Sequence, residues 1–246
     1  MGWNGAVPET SHRPDEGPVH DPSTPEGRVV GVGPWPTGTP LPADAAEHPD
    51  RYDPELLAAG DTRNVADEFR YWRLEAIVAE LDRRRFPFHV AVENWGHDFN
   101  IGSVVRSANA FGARAVHIVG RRRWNRRGAM VTDRYQHVHH HPDVEALVAW
   151  ARGEDLPIVG IDNVPGSLPI EQASLPEACV LVFGEESAGL SAAMQQACET
   201  VLHITQYGST RSINAGAAAA VAMHSWVLEH ADGQPGPAEF RRAADW

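Results

Sequence analysis

Lysine is absent from this chain: all twenty-one of its basic residues are arginine. Chemistry that needs a lysine amine, such as a Schiff base, a P-loop or a pyridoxal phosphate anchor, is therefore closed to it. Cysteine is nearly as scarce. Cys179 and Cys198 fall in or beside apolar runs without Cys-x-x-Cys spacing, which argues against a disulfide framework or a zinc site and for reduced, buried thiols. Long hydrophobic runs are missing as well. The most apolar stretch, 215–228, is too short and too interrupted to span a bilayer, and no segment has the order of a signal peptide. A cytoplasmic protein with no membrane contact is expected.

Positive charge is in deficit overall, with a net charge of -12 over 246 residues, but its distribution is uneven. Residues 1–62 carry three arginines against eleven acids, residues 63–134 fourteen against eight, and residues 135–246 four against fourteen. Because fields act locally and salt screens them over about 10 Å, the central segment can present a basic surface on an acidic chain. The first 62 residues also hold eleven of the nineteen prolines, with no periodic apolar pattern to offset the entropy of ordering them. They read as a mostly disordered tail whose removal up to residue 60 leaves the fold intact.

From 63 to 85 the pattern turns helical, with Val65, Phe69, Trp72 and Ala76 on one stripe and Leu74, Ile77, Val78 and Leu81 on another. Two stripes need two covers: the main domain, and either a partner subunit or the tail. The main domain is expected over 86–231, followed by a tail over 232–246. Short apolar runs at 88–92, 115–119, 158–161, 180–183 and 201–204 alternate with helical patterns at 101–111 and 144–152 and from about 214. That alternation predicts an α/β fold, a parallel sheet with helices on both faces, whose ligands sit beyond the carboxyl ends of the strands.

Three loops at those ends carry unusual residues. The first contains Asn100, Gly102 and Arg106: an amide at a helix start, a glycine where backbone can approach a ligand, and a guanidinium about one and a half turns on. The second, Phe183-Gly184-Glu185-Glu186-Ser187-Ala188-Gly189-Leu190, mimics a P-loop but places Leu190 where the lysine must be. Its two acids suit a cationic or hydroxyl-bearing ligand better than a polyphosphate. The third runs from Ile204 to Asn214 and opens a helix of small residues with Ser212 and Asn214 at its start. Taken singly, these could be helix caps, a tight turn and a surface arginine.

Together and in this order they strongly resemble the SpoU (TrmH-type) branch of the SPOUT RNA methyltransferases, over about 88–229. The Asn-x-Gly-x-x-x-Arg motif matches Asn100, Gly102 and Arg106; Gly-x-Glu-x-x-Gly-Leu matches Gly184, Glu186, Gly189 and Leu190; and Ser-Leu/Ile-Asn matches Ser212 and Asn214. The chain departs from the family at Thr205 and Gln206, where proline and methionine are usual, and at Gly216, which replaces a common serine.

The resemblance implies a C-terminal deep trefoil knot and a homodimer whose site is completed across the interface. It implies transfer of a methyl group from S-adenosylmethionine to a ribose 2'-hydroxyl of tRNA or rRNA. Phe183, Gly184, Gly189, Ile204, Gln206, Ile213 and Asn214 would hold the cofactor. Arg106 would activate the hydroxyl, as base or as fixed cation, with Asn100, Glu186, Ser212 and Asn214 keeping the parts in line.

The run Arg121, Arg122, Arg123, Trp124, Asn125, Arg126, Arg127 suits phosphate contact with base stacking, against the alternative of a solvated charge run. His137, His139, His140 and His141 look like a metal tract, but alternation along an exposed strand closed by Pro142 accounts for them, and no metal is expected. A non-catalytic RNA-binding or cofactor-sensing module on the same fold would dispense with Asn100, Arg106, Glu186 and Ser212. A nicotinamide dehydrogenase would need Gly-x-Gly-x-x-Gly after the first strand, which is lacking.

Overall fold

The computed structural model describes residues 31–41, 45–96, 100–186 and 188–231. Seven strands, β1 (His89–Asn94), β2 (Val116–Gly120), β3 (Val138–His141), β4 (Ile158–Ile161), β5 (Leu168–Pro169), β6 (Val180–Phe183) and β7 (Thr200–His203), form one sheet in the order β3-β2-β1-β6-β4-β7-β5. Every pairing is parallel. The central strands β4 and β6 are continuous apolar runs, buried throughout, because both faces of the sheet are covered there. Along β1, Val90 and Val92 enter the core beneath α3 (Ile101–Ala110) and α6 (Ala215–His230), while Ala91 enters the core beneath α4 (Val144–Gly153) and α5 (Ala192–Ala197). Ile101, Val104, Val105 and Ala108 form the buried stripe of α3, and α6 packs beside it through Gly216, Ala219, Ala222 and Met223. The two-residue β5 has no alternating pattern to betray it, and the sequence reading missed it.

The N-terminal segment departs from expectation. Residues 1–30 and 42–44 of the expected disordered tail, and the tail over 232–246, lie outside the described residues, but 31–41 and 45–62 are folded against the rest of the chain. Here α1 (Pro54–Ala59) starts at Asp53, whose carboxylate accepts the Glu55 N–H at 2.9 Å. Tyr52, Phe69, Tyr71, Trp72 and Ile77 share a buried cluster with Tyr135 of the main domain, and Trp35, Leu56 and Leu57 pack against it. Composition concealed this because the aromatic residues are few and aperiodic, and their partners lie further along the chain.

The helix expected over 63–85 is also shorter. It begins as α2 (Leu74–Arg84), because Tyr71 takes a left-handed backbone (φ 62°) with its N–H donated to the buried Asp61 carboxylate at 2.9 Å. The second cover anticipated for this region is the chain's own segment 31–62, so its stripes give no argument for a partner. Arg85 fastens the assembly. It is buried, donating to Asp82 at 2.7 Å, to the Tyr135 carbonyl at 2.6 Å and to Gln136.

The histidines also differ from a simple exposed strand. β3 is an edge strand, yet His141 is buried, and it joins residues of β1 and β2 in a chain. His117 Nε2 lies 3.0 Å from His89 Nδ1, and His117 Nδ1 lies 2.9 Å from His141 Nε2, beneath the Trp150 ring. Such a chain needs an acceptor nitrogen at each link, which a doubly protonated imidazole lacks. Burial, reinforced by the charges of Arg114 and His139, pushes His89 down to about 4, and burial with the neighbouring histidines pushes His117 down to about 2.

Both folded values lie below the ordinary value of about 6.5, so the stabilisation is present above that pH and is lost as pH falls toward the folded values. Between pH 7 and about pH 4.5, His117 alone is expected to cost about 2 kcal/mol. Thermal melts of wild type and His117→Gln check this: the substitution should flatten the acid limb, and identical acid limbs would remove the histidine chain as its cause.

Candidate active site

A cavity of about 300 Å³ opens at the carboxyl ends of β4, β6 and β7. Six of the seven residues expected to hold a cofactor line it: Phe183, Gly184, Gly189, Ile204, Gln206 and Ile213. Asn214 does not line it and stands at its rim. The side-chain oxygen of Gln206 is buried without a hydrogen-bond partner among the described residues. Thr205 is clamped by Glu171, which accepts its N–H at 3.0 Å and its hydroxyl at 2.9 Å. The Glu171 carboxyl lies below its ordinary value: slight burial opposes ionisation, and these bonds, with that of its own backbone, outweigh it.

Asp162 was missed by sequence reasoning. Its carboxylate accepts the N–H of Leu190 and of Asn163, both at 2.7 Å, and so ties the loop after β4 to the loop after β6. Gly189 turns here with φ 68°, and a Cβ on it would lie 2.3 Å from Asp162 Oδ2, so only glycine fits. The signal was available: Asp162 directly follows a wholly apolar central strand, at the end of the sheet where ligands bind.

The three motif segments meet at the cavity rim. Asn100 Nδ2 donates to Glu186 Oε2 at 2.7 Å, while Asn214 Nδ2 donates to Asn100 Oδ1 at 2.8 Å and to Glu186 Oε1 at 3.0 Å. Asn214 also caps α6 by accepting the Ala217 N–H at 3.2 Å. Asn100 occupies the N-cap position of α3, yet its side chain caps nothing and is committed to the other two loops. Gly216 lies beneath this triad, where a Cβ would come within 3.1 Å of Ser103 Cβ.

Other site residues fall elsewhere. Ser212 is exposed on the cavity wall, outside the triad. Arg106 is exposed on α3, and its side chain makes no hydrogen bond or ion pair to any described residue. Gly102 serves a close approach different from the one expected: a Cβ there would meet the backbone of Gly128 and Ala129 at 2.8 and 2.7 Å, so it seats the arginine-rich loop on α3 and does not face the cavity. Glu185 and Glu186 hold protein groups, Glu185 accepting the N–H of Trp95 at 2.5 Å and that of Gly96. Ser187 and 97–99 lie outside the described residues.

The arginine run follows β2 directly. Arg121, Arg122, Arg123, Arg126 and Arg127 are exposed. Trp124 is half-buried against the main core with the Arg126 guanidinium 5.5 Å from its ring centre, and Arg126 also pairs with Asp133 at 3.3 Å. Both thiols are free, and burial pushes each of them up to about 12. Among the described residues, no three histidine, cysteine or acidic side chains are grouped to hold a metal, and no helix is long and apolar enough to cross a membrane.

The architecture is thus a parallel α/β sheet with a cavity at its strand ends and an Asn-Glu-Asn triad from three separate loops at the rim. The chain belongs to the SpoU rRNA methylase family, whose model matches residues 87–224. It is 31% identical over 185 residues to an uncharacterized tRNA/rRNA methyltransferase of Mycolicibacterium vanbaalenii, covering 70% of this chain and 58% of that protein, so it spans little more than half the length of that relative. Among solved structures it is similar to the SpoU methyltransferase AviRb from Streptomyces viridochromogenes in complex with the cofactor AdoMet. The identity there is 25% and the TM-score 0.55, over 61% of this chain and 60% of that one. The TrmH/SpoU tRNA modifying enzyme of A. aeolicus shares the fold at 16% identity and a TM-score of 0.58, over 70% and 93% of the two chains.

Proposed function

We propose that this chain is an S-adenosylmethionine-dependent methyltransferase that acts on a ribose 2'-hydroxyl of tRNA or rRNA in the cytoplasm. The observation that carries the reading is the hydrogen-bonded triad of Asn100, Glu186 and Asn214 at the mouth of the cavity. A merely structural use of these residues would not require three motif segments to converge beside a cavity.

The cavity suits the cofactor. Its wall offers Phe183, Ile204 and Ile213 for apolar contact, and Gln206, whose side-chain oxygen has no partner among the described residues, for a hydrogen bond. Leaving such a group unpaired costs about 1–3 kcal/mol, which a nucleoside-like ligand would recover. S-adenosylmethionine supplies, when bound, a methyl group activated by a sulfonium. Phe183, Gly184, Gly189, Ile204, Gln206 and Ile213 would hold it, with Asn214 at the rim. Arg106, exposed and with no side-chain partner among the described residues, would stand as a fixed positive charge that stabilises the alkoxide character of the attacking oxygen. Asn100, Glu186 and Asn214 would fix the start of α3, from which Arg106 projects, and Ser212 would contact substrate or cofactor from the wall.

Two structural expectations belong to the same proposal. A C-terminal trefoil knot is one, and the interleaving of β6 between β1 and β4, and of β7 between β4 and β5, is compatible with it. Val221 and Leu228 leave apolar surface exposed on α6, available to a second copy in a homodimer.

Calorimetry with S-adenosylmethionine, then tritium transfer to bulk RNA and mapping of the methylated positions, tests the function. Binding without transfer would favour the non-catalytic module, and methyl groups found on bases would overturn the ribose assignment. The arginine run is assigned to phosphate contact. Replacing Arg121, Arg122, Arg123, Arg126 and Arg127 by alanine is expected to weaken RNA binding and lower the slope of log affinity against log salt by roughly 0.7 per lost single-strand contact. An unchanged slope would mark the run as solvated surface.

A further inference from the structure

The turn after β1 and the arginine run after β2 are stitched together by Asn94. Its side-chain amide donates to the carbonyls of Arg121 at 2.6 Å and Arg123 at 3.0 Å, and its own carbonyl accepts the Arg121 N–H at 2.8 Å. The Arg121 guanidinium donates back to the Gly96 carbonyl at 3.2 Å. Trp95 stands between the two. Its backbone N–H is held by Glu185 on the cavity wall, and its indole N–H donates to Glu93 Oε1 at 2.9 Å. Glu93 is fully buried and is fixed through its other oxygen by the Ser191 N–H at 2.7 Å. One edge of the indole rests on Gly120, where a Cβ would lie 2.8 Å from Trp95 Cε3. The residue is nevertheless 39% exposed.

An indole whose polar group is satisfied inside the protein and whose rotamer is locked gives up little entropy when a flat ligand covers it. We propose that Trp95 is the stacking platform for an unpaired base of the RNA, held between the phosphate contacts of Arg121, Arg122 and Arg123 and the cavity that Glu185 borders. This rests on the RNA methyltransferase reading above. Trp124, the tryptophan within the arginine run, is poorly placed for the task because the core and the Arg126 guanidinium already cover it. The ligand is a single-stranded segment, since bases in a duplex are stacked on one another and offer no free face.

The test uses Trp95→Phe and Trp95→Leu, which lose the indole N–H equally and differ in the aromatic face. Fluorescence anisotropy is measured with a short unstructured single-stranded RNA and with a blunt RNA duplex, and melts and S-adenosylmethionine calorimetry confirm an intact rim. Trp95→Leu should weaken single-strand binding roughly 5- to 100-fold without altering its salt slope, because no phosphate contact is lost. Trp95→Phe should retain most of the affinity, and duplex binding should be unchanged in both. Equal losses in the two variants, or wild-type affinity in Trp95→Leu, would overturn the platform and leave the RNA reading standing. A wild-type protein that binds neither RNA would overturn both.

Discussion

Arg106→Ala is expected to slow methyl transfer to RNA by on the order of 100-fold to 1,000-fold while leaving S-adenosylmethionine affinity close to wild type. The side chain is exposed and makes no hydrogen bond or ion pair to a described residue, so its removal should cost little stability. A neutral hydroxyl is a poor nucleophile, and a charge that acts chiefly on the developing alkoxide changes rate more than ground-state affinity. Arg106→Lys should rescue little, since an ammonium cannot reproduce the planar fork that reaches a phosphate and a ribose oxygen together. Single-turnover methylation with saturating RNA and cofactor separates chemistry from binding. Rates near wild type in either variant would leave Arg106 without a catalytic role.

Asp61→Ala is expected to destabilise the protein by about 3 kcal/mol, because it removes a buried carboxylate that is the acceptor of the half-buried Arg63 guanidinium and of two backbone N–H groups. The Asp61 carboxylate is wholly buried and accepts bonds from Arg63 Nε at 2.8 Å, Arg63 Nη2 at 2.7 Å, the Arg63 N–H at 3.0 Å and the Tyr71 N–H at 2.9 Å. Burial alone would raise its pKa, but the bonds from Arg63 and Tyr71 prevail and hold it at about 2. Since the folded value lies below that of the unfolded chain, the stabilisation is complete above about pH 4 and is lost as pH falls through about 2. Asp61→Asn should therefore lose most of this contribution at neutral pH and show no such acid step. Chemical denaturation at several pH values measures both. By the same argument, deleting residues 1–60, harmless on composition alone, is expected to lower the melting temperature, because Tyr52 and the Val32–Asp61 pairing go with it.

The sheet and much of the cavity were legible because their signals are local. Strands 158–161 and 180–183 were read at their true bounds, since buried parallel strands are continuous apolar runs. Asn100, Glu186 and Asn214 could be singled out through the motifs that resemble the SpoU family, although their mutual hydrogen bonds could not. What escaped depends on distant pairs. Glu171 reaches Thr205 across 34 positions and Glu93 reaches Ser191 across 98, and neither has a neighbour in sequence that announces the contact. The folded part of the N-terminal segment escaped for the opposite reason: its proline content dominated the reading, while a few aromatic residues and one aspartate determine its packing.

The margins of the sheet have a consequence for solubility. At one side the outermost strand, β5, is two residues long and ends in Pro169, which has no N–H to offer an incoming chain. At the other, β3 has four residues, of which His139 and His140 stand in solvent. Neither side presents the long, flat, apolar row of unpaired amides on which a further strand could assemble. The five strands between them, apolar enough to aggregate if exposed, are thus shielded from growth along the hydrogen-bonding direction. Mild acid would weaken that protection at the β3 side first, by unzipping the imidazole chain that binds it to β2.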